Sequence, residues 1–564
     1  MLLREKRDEE ATELAIRVVR LQETLETRAL FIECVKRWKA VPGANAIRDL
    51  IARSWSEAWF RPLELFGITL GMLEADPIVG PAIAKAMAAW PRRLSLHELL
   101  GVTGLARISI DPLLPALIES GTIFGLALER FLTSLRAALL ELAVLDPNRG
   151  QSEGILQFCC ALARQCFINE YVFDVTPEEN EQADKLEDRI KHAFVHSLPI
   201  QPMEIALFAA YRQLDCLPRS ALLKRVWPKC IVGLLTEQIE EPESERKLRN
   251  SIPRITRVAD GTSIAVKKQY EENPFPRWVN MPFSRPMPLI DEWMPKYFPF
   301  SKFRKIGKGA NLDVLIAGCG TGYHSIMFAQ VFSGARILAI DLSMTSLCYA
   351  KRKTRELGIT NVEYAQADIL ELGSLEKRFD VIASSGVLHH LAEPEKGWRT
   401  LVQLLEPDGC MQIALYSQRA HRNLISAQRF LAERRFSPSI QSIRRARQEL
   451  ATAAATDASL ASVLTFTDFY CTSEFRDLYL PTQMHRFTIP KIQSFLDENC
   501  LEFIGFSVKD EIRERFLTHF PAEAESNLPL WDKFEAEYPD SFSAMYEFWV
   551  QKKPVRDPYF QGDH

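Results

Sequence analysis

The 564-residue chain has no Cys-x-x-Cys pair. Its eleven cysteines are scattered and odd in number, and only Cys159 and Cys160 are adjacent, in an apolar stretch. That pattern argues against a disulfide framework and against a zinc site, and leaves reduced thiols in a cytoplasmic setting as the expectation. No uncharged apolar run reaches the roughly 18 residues a membrane span requires. The opening Met1-Leu-Leu-Arg-Glu-Lys-Arg places charges where a secretion signal needs an apolar run, so none is expected. Charge of one sign is not in excess: Lys plus Arg total 69 against 73 Asp plus Glu, a net charge of −4, which gives no reason to expect nucleic acid as a partner. No fixed repeat period is found, and the Trp-x-x-Leu-Gly signature of tetratricopeptide repeats is missing.

What is present is a globular composition, 47% apolar and 25% charged, on a chain long enough for two large domains or about three ordinary ones. Residues 1–258 read as an all-helical domain. Glu9 to Trp38 carries apolar residues at helical spacing (Leu14, Val18, Leu21, Leu25, Leu30). Further helices are predicted near 77–89, 112–118, 122–145, 152–170, 177–197, 202–214, 218–226 and 230–241. Asp146-Pro-Asn-Arg-Gly150, Thr176-Pro177 and Leu217-Pro218 punctuate them. Residues 259–303 form a Pro- and aromatic-rich connector, Gln269-Tyr-Glu-Glu-Asn-Pro-Phe-Pro-Arg-Trp278 followed by Pro282, Pro286 and Pro288, where regular helix is disfavoured.

From 304 to the end the pattern alternates strand and helix. Strands are predicted at Leu312–Ala317, Ala335–Asp341, Val362–Ala367, Phe379–Ser384 and Cys410–Tyr416, then at Leu501–Val508 and Met545–Lys552. A helical insertion is expected at about 420–488. Short apolar strands separated by helices imply a mostly parallel, doubly wound Rossmann-like α/β sheet.

The first strand of that series ends in Ala317-Gly-Cys-Gly-Thr-Gly322, whose glycines would let the backbone lie against a ligand at a helix N-terminus. Asp341 follows Gly322 by 19 positions, close to the ~20 at which a carboxylate reaches ribose hydroxyls. Asp368 follows the third strand, suited to an adenine amine. A dinucleotide turn would need Gly or Ala at position 323, which is Tyr, so the loop is G-x-G-x-G and not G-x-G-x-x-G. Asp313-Val-Leu-Ile-Ala-Gly-Cys-Gly-Thr-Gly322, Ile340-Asp341-Leu-Ser, Ala367-Asp368-Ile and Phe379 to Leu391 with Leu404 to Gly409 resemble, in order, the motifs of class I S-adenosylmethionine-dependent methyltransferases. The departure is Ala317 and Cys319 around the first glycine. Cys166 to Phe173, Gln269 to Trp278 and His485-Arg-Phe-Thr-Ile-Pro490 resemble segments of large bacterial methyltransferases often fused to tetratricopeptide repeats.

The resemblance implies S-adenosylmethionine held by Gly318, Cys319, Gly320, Thr321, Gly322, Asp341, Leu342, Ala367, Asp368, Ile369, Ser384 and Ser385. His389, His390 and Tyr270 are the candidate catalytic residues. Either histidine suits a general base, or simply lines the pocket; no third ligand stands near them, so no metal is expected. Asn273-Pro-Phe-Pro276 precedes the first strand and so is not the Asn-Pro-Pro-Tyr motif of enzymes that methylate planar nitrogens. Tyr270, Phe275 and Trp278 are expected either as a lid over the cofactor or as scaffold. Tyr470, Ser473, Arg476 and His485 fall in the insertion, where acceptors meet this fold. Arg419, Arg422, Arg429, Arg434, Arg435, Arg444, Arg445 and Arg447 form either a basic face or a solvated one.

The expectation is methyl transfer by in-line displacement to an O or N nucleophile of a protein or small-molecule acceptor, with the large helical half favouring a macromolecule. The N-terminal helices would recruit that acceptor or dimerise. A non-catalytic cofactor-binding scaffold and a nicotinamide-dependent oxidoreductase remain as alternatives.

Overall fold

The computed structural model describes residues 8–37, 45–145, 152–283, 289–332 and 334–554. The chain forms two compact units that do not follow chain order. One is drawn from Met1–Glu243, Arg277–Phe283 and Arg434–Leu478, the other from Ser244–Pro276, Ser284–Glu433 and Tyr479–His564.

The first unit is helical. The single helix expected from Glu9 to Trp38 is two, Asp8–Leu21 and Leu25–Lys36, because Thr24 and Thr27 exchange backbone and hydroxyl bonds (2.9 and 3.3 Å) that cap the second. The apolar stripe also differs. Ala11, Ala15 and Val19 are buried, whereas Leu14, Leu21, Leu25 and Leu30 are exposed. Trp38 and the Asp146–Gly150 break lie outside the described residues. Helices Asn45–Ser56 and Pro62–Glu74 stand where no pattern was read. Later helices, such as Glu153–Ile168 and Pro177–Val195, lie close to expectation.

Residues of the expected insertion are built into this helical unit. On helix Ile440–Ala454 the fully buried Arg447 donates to the Glu129 carboxylate at 2.5 Å and to the carbonyls of Phe469 and Val172. Arg444 donates to the Tyr171 carbonyl at 2.6 and 2.9 Å. The arginine run is therefore not one continuous basic face: Arg422, Arg429, Arg434, Arg435 and Arg445 are exposed, as a solvated face would have them, while Arg444 and Arg447 turn inward to satisfy carbonyls and a buried carboxylate.

The second unit is a seven-stranded sheet. In chain order it contains α1 (Gly261–Glu272), α2 (Ile290–Tyr297), β1 (Asp313–Ala317), α3 (Tyr323–Val331), β2 (Arg336–Asp341), α4 (Met344–Glu356), β3 (Val362–Gln366) and β4 (Phe379–Ser385). It continues with α5 (Pro394–Leu404), β5 (Leu405–Tyr416), α6 (Arg422–Glu433), α7 (Ile489–Glu498), β6 (Leu501–Phe506) and β7 (Met545–Lys552). Strand order is β3-β2-β1-β4-β5-β7-β6, parallel except for β7, which runs antiparallel to both neighbours. This is the doubly wound Rossmann-like sheet the sequence pattern implied. Successive residues of β1 face opposite layers: Leu315 and Ala317 join the core with Trp398 and Phe495, Val314 and Ile316 the one with Phe328 and Leu347. Trp398 of α5 stacks on Phe495 of α7 with centroids 3.9 Å apart.

The connector is not free of regular helix. Its prolines begin at Pro274, and upstream of them the Asp260 carboxylate accepts the Ser263 N–H at 2.8 Å and starts α1. Tyr270 thus sits on a helix. Pro286 and Pro288 lie outside the described residues.

Candidate functional site

Three glycines make the turn from β1 into α3, all with positive φ: Gly318 at 81°, Gly320 at 52° and Gly322 at 88°. The sequence reading gave their Cβ-free surface to a ligand, but here the protein itself fills that space. A Cβ on Gly318 would come within 2.3 Å of Val387, and one on Gly320 within 2.3 Å of the Phe275 carbonyl oxygen. One on Gly322 would meet Ala350 at 2.6 Å. Glycine is required by backbone angle and by packing alike. The Thr321 N–H donates to the Phe275 carbonyl at 3.1 Å, and its hydroxyl to the Pro276 carbonyl, so the connector lies directly on the turn.

Asp341 ends β2 and holds the turn in place. One carboxylate oxygen accepts the Gly320 N–H and the other the Ser343 N–H, both at 2.8 Å. Burial pushes its pKa up to about 6 against the pull of those two bonds. Helix α1 closes the neighbouring turn: the Tyr270 carbonyl accepts the Ser343 hydroxyl at 2.9 Å, and the Glu271 carboxylate accepts the Met344 N–H at 2.8 Å. Glu271 also accepts from Thr345 and pairs with Arg249, an acidic cap on the N-terminus of α4.

Asp368 follows β3 and is fully buried. Its Oδ1 accepts the Leu370 N–H at 3.0 Å, its own N–H donates to the Thr256 hydroxyl at 2.8 Å, and its Oδ2 has no hydrogen-bond partner. Burial raises its pKa. Residues 253–256 run beside the end of β3, with Gln366 donating to Pro253 at 2.8 Å and accepting from Ile255 at 3.0 Å. Nothing in the sequence pattern marked Thr256 or its neighbours for this place.

The remaining expected cofactor residues fall around the same edge. Ala367 and Ile369 turn their side chains into the core. The Leu342 carbonyl accepts from Gln366 Nε2 at 2.8 Å. The Cys319 thiol is buried, which raises its pKa well above the ordinary thiol value, so it is inert. Ser384 and Ser385 end β4, and the buried Ser384 hydroxyl has no partner.

At the ends of β4 and β5 a second polar cluster forms. The buried His389 ring stacks on Tyr416, centroids 3.7 Å apart, and Tyr416 lies 4.5 Å from His421. The His389 Nδ1 accepts the Tyr416 N–H at 3.4 Å, which leaves the proton of its neutral ring on Nε2, where no partner stands. His390 has the opposite tautomer: its Nδ1 meets the Gln483 carbonyl at 2.8 Å and must donate. Burial, then the positive charge of Arg486, lowers the pKa of His421 to about 3. Burial lowers that of His389 as well.

Segment 482–487 completes the edge. Thr482 donates to Gln269 of α1 at 2.8 Å, the His485 N–H to the His389 carbonyl at 2.7 Å and the Phe487 N–H to the Tyr416 carbonyl at 2.8 Å. Glycine turn, Asp341, Asp368, Ser384, the histidines, Tyr270, Phe275 and His485 therefore belong to one unit. Trp278 belongs to the helical unit, as do Tyr470, Ser473 and Arg476. Arg486 stood in a quoted segment without a role, and His421 and Tyr416 gave no signal beyond following β5.

Residues 308–458 match the family model of a methyltransferase domain. The chain carries a class I S-adenosylmethionine-dependent methyltransferase domain. Its methyltransferase unit resembles the malonyl-[acyl-carrier protein] O-methyltransferase of Acetivibrio thermocellus, 32% identical over 19% of this chain and 36% of that protein. It also resembles the ubiquinone biosynthesis O-methyltransferase of Leptothrix cholodnii, 35% identical over 18% of this chain and 44% of that one. The chain thus spans less than half the length of either relative. A longer match, 25% identical over 53% of this chain, covers 74% of an uncharacterized Synechococcus protein. Among solved structures, PKMT2 of Rickettsia typhi in complex with AdoHcy aligns over 46% of this chain and 52% of its own, with 17% identity and a TM-score of 0.36. No described helix is long and apolar enough to cross a membrane.

Proposed function

We propose that the methyltransferase unit transfers a methyl group from S-adenosylmethionine to an oxygen or nitrogen nucleophile bound at the ends of β4 and β5. The observation that carries this reading is the pair of carboxylates at the ends of β2 and β3. Each oxygen of Asp341 keeps a lone pair beyond the one given to Gly320 or Ser343, enough for two ribose hydroxyls. Asp368 buries an unpartnered oxygen suited to an adenine amine. Gly318 to Gly322, Leu342, Ser384 and Ser385 complete the cradle, with Ala367 and Ile369 contributing backbone.

The bound cofactor supplies a sulfonium methyl that is already electrophilic. The chain's part is to align the acceptor and exclude water, which accounts for ~7–11 kcal/mol of such a barrier. Of the two histidines, His390 suits a proton acceptor, because donation from Nδ1 to Gln483 puts the lone pair on Nε2. His389, with its proton on Nε2, is a donor. Tyr270 and Phe275 hold the connector over the cradle through their carbonyls. The two named relatives are O-methyltransferases, which favours an oxygen nucleophile. The helical unit would recruit or orient the acceptor, or dimerise.

The test is transfer of tritiated methyl into host lysate by wild type and Asp341→Ala, with S-adenosylhomocysteine titrated into both. Labelling by wild type alone supports the reading. Equal labelling would remove Asp341 from the cradle, and cofactor binding with no transfer to any fraction would favour a scaffold.

A further inference from the structure

Among the described residues Arg486 forms no ion pair. It lies half-buried, its Nη2 donates to Gln428 Oε1 on α6, and its Nε is buried with no partner. Burial lowers its pKa and the Tyr416 hydroxyl pulls the other way, while its charge lowers the pKa of both His389 and His421. The position is fixed from both sides, since His485 and Phe487 are bonded to the carbonyls of His389 and Tyr416. The backbone of residues 485–487 is thereby held between the loop after β4 and the end of β5, and the guanidinium rests on Gln428 of α6. Two obligate donors, Arg486 Nε–H and His389 Nε2–H, and the Nδ1 of His421 are all buried there without partners. A buried donor without a partner is costly, and a guanidinium more so. The loop after β4 also touches the glycine turn, through Val387 against Gly318.

We propose that the methyl acceptor carries a carboxylate, and that Arg486 with the Nε2–H of His389 holds it. The inference rests on the β4–β5 edge being the acceptor side. A planar guanidinium matches a carboxylate through paired donors, and Arg486 Nε–H and His389 Nε2–H are both donors, while His390 presents an acceptor at Nε2. An ammonium acceptor such as a lysine side chain would meet an unscreened like charge at the same place. The carboxylate is either carried beside the methylated atom or is itself the nucleophile; both need the same cation.

The test uses the full-length protein with succinate as probe and uncharged succinamide as control, each titrated with and without saturating S-adenosylhomocysteine. Succinate is expected to bind wild type at least tenfold tighter than succinamide. Arg486→Met should lose at least tenfold of that affinity and Arg486→Lys less, while S-adenosylhomocysteine binds both variants within about twofold of wild type, which shows that they are folded. Equal binding of succinate and succinamide, no succinate binding, or undiminished binding by Arg486→Met would overturn the proposal. Failure of S-adenosylhomocysteine to bind wild type would instead sink the methyl-transfer reading, and the cofactor-free titration still reads the carboxylate site.

Discussion

The carbonyl oxygen of Phe275 stands 2.3 Å from the point a Cβ on Gly320 would occupy. A backbone oxygen cannot swing aside as a long side chain does, so the connector and the glycine turn are fitted to each other at contact distance. Gly320 also has a φ of 52°, which costs a residue with a side chain about 1–2 kcal/mol. Gly320→Ala should therefore lower the melting temperature and weaken S-adenosylhomocysteine at least tenfold by lifting the connector. Calorimetric titration and a thermal melt check it, and an alanine variant with wild-type affinity would show that the connector does not shape the cradle.

That contact also marks where sequence reading stops. Strands β1 to β5 were legible because buried parallel strands are short apolar runs set between helices, and the acidic ends of β2 and β3 could be counted to. The connector was not, since the run of prolines from Pro274 onward hid the ordinary helix start at Asp260. Nor were Thr256 beside Asp368, or His485 bonded to His389, because both pairings cross more than 90 residues of chain and leave no period. The first helix misled for a different reason: its leucines face solvent and its alanines face the core, so hydrophobicity pointed to the wrong stripe. The segment after β5 carried no mark that Arg434–Leu478 would join the helical unit.

Asp341 sets a pH dependence on cofactor binding. Burial has raised its pKa to about 6, and the ionised form is the better acceptor for two hydroxyls. Affinity for S-adenosylhomocysteine should be flat above pH 7 and fall by up to about tenfold per unit below pH 6. Asp341→Asn should bind ten- to a hundredfold more weakly, in line with ~1.5–3 kcal/mol for charge-assisted bonds, and without the acidic fall. A wild-type affinity that is level from pH 8 to 5 would refute the assignment.

His421 makes the folded state acid-sensitive. Its pKa is lowered to about 3 by burial and by Arg486, while the unfolded chain takes up that proton near pH 6.5. Between those values the unfolded state holds the extra proton, so stability falls as pH falls, by about 1.4 kcal/mol per unit. His421→Gln should lose less stability than wild type between pH 7 and 5, a difference of about 2 kcal/mol, read from urea midpoints at the two pH values. Parallel losses in both proteins would mean that His421 protonates in the folded state as it does in the unfolded one.

The bond from Arg447 to Glu129 at 2.5 Å joins residues 318 positions apart inside the helical unit, and both side chains are about 1% exposed. A buried pair of this kind is weak support for stability in itself, since desolvating two charges offsets most of their attraction. Breaking it is another matter, because the survivor is a buried charge without a counter-ion. Glu129→Gln alone should destabilise the unit by roughly 3–5 kcal/mol. Arg447→Met alone should cost a similar amount, and more through the lost donors to Val172 and Phe469. The double variant Glu129→Gln, Arg447→Met should be more stable than the sum of the two losses allows, with a coupling in the range of ~0.5–3 kcal/mol. Additive losses in urea unfolding would mean that the two charges do not meet, and that Arg434–Leu478 is not a structural part of the helical unit.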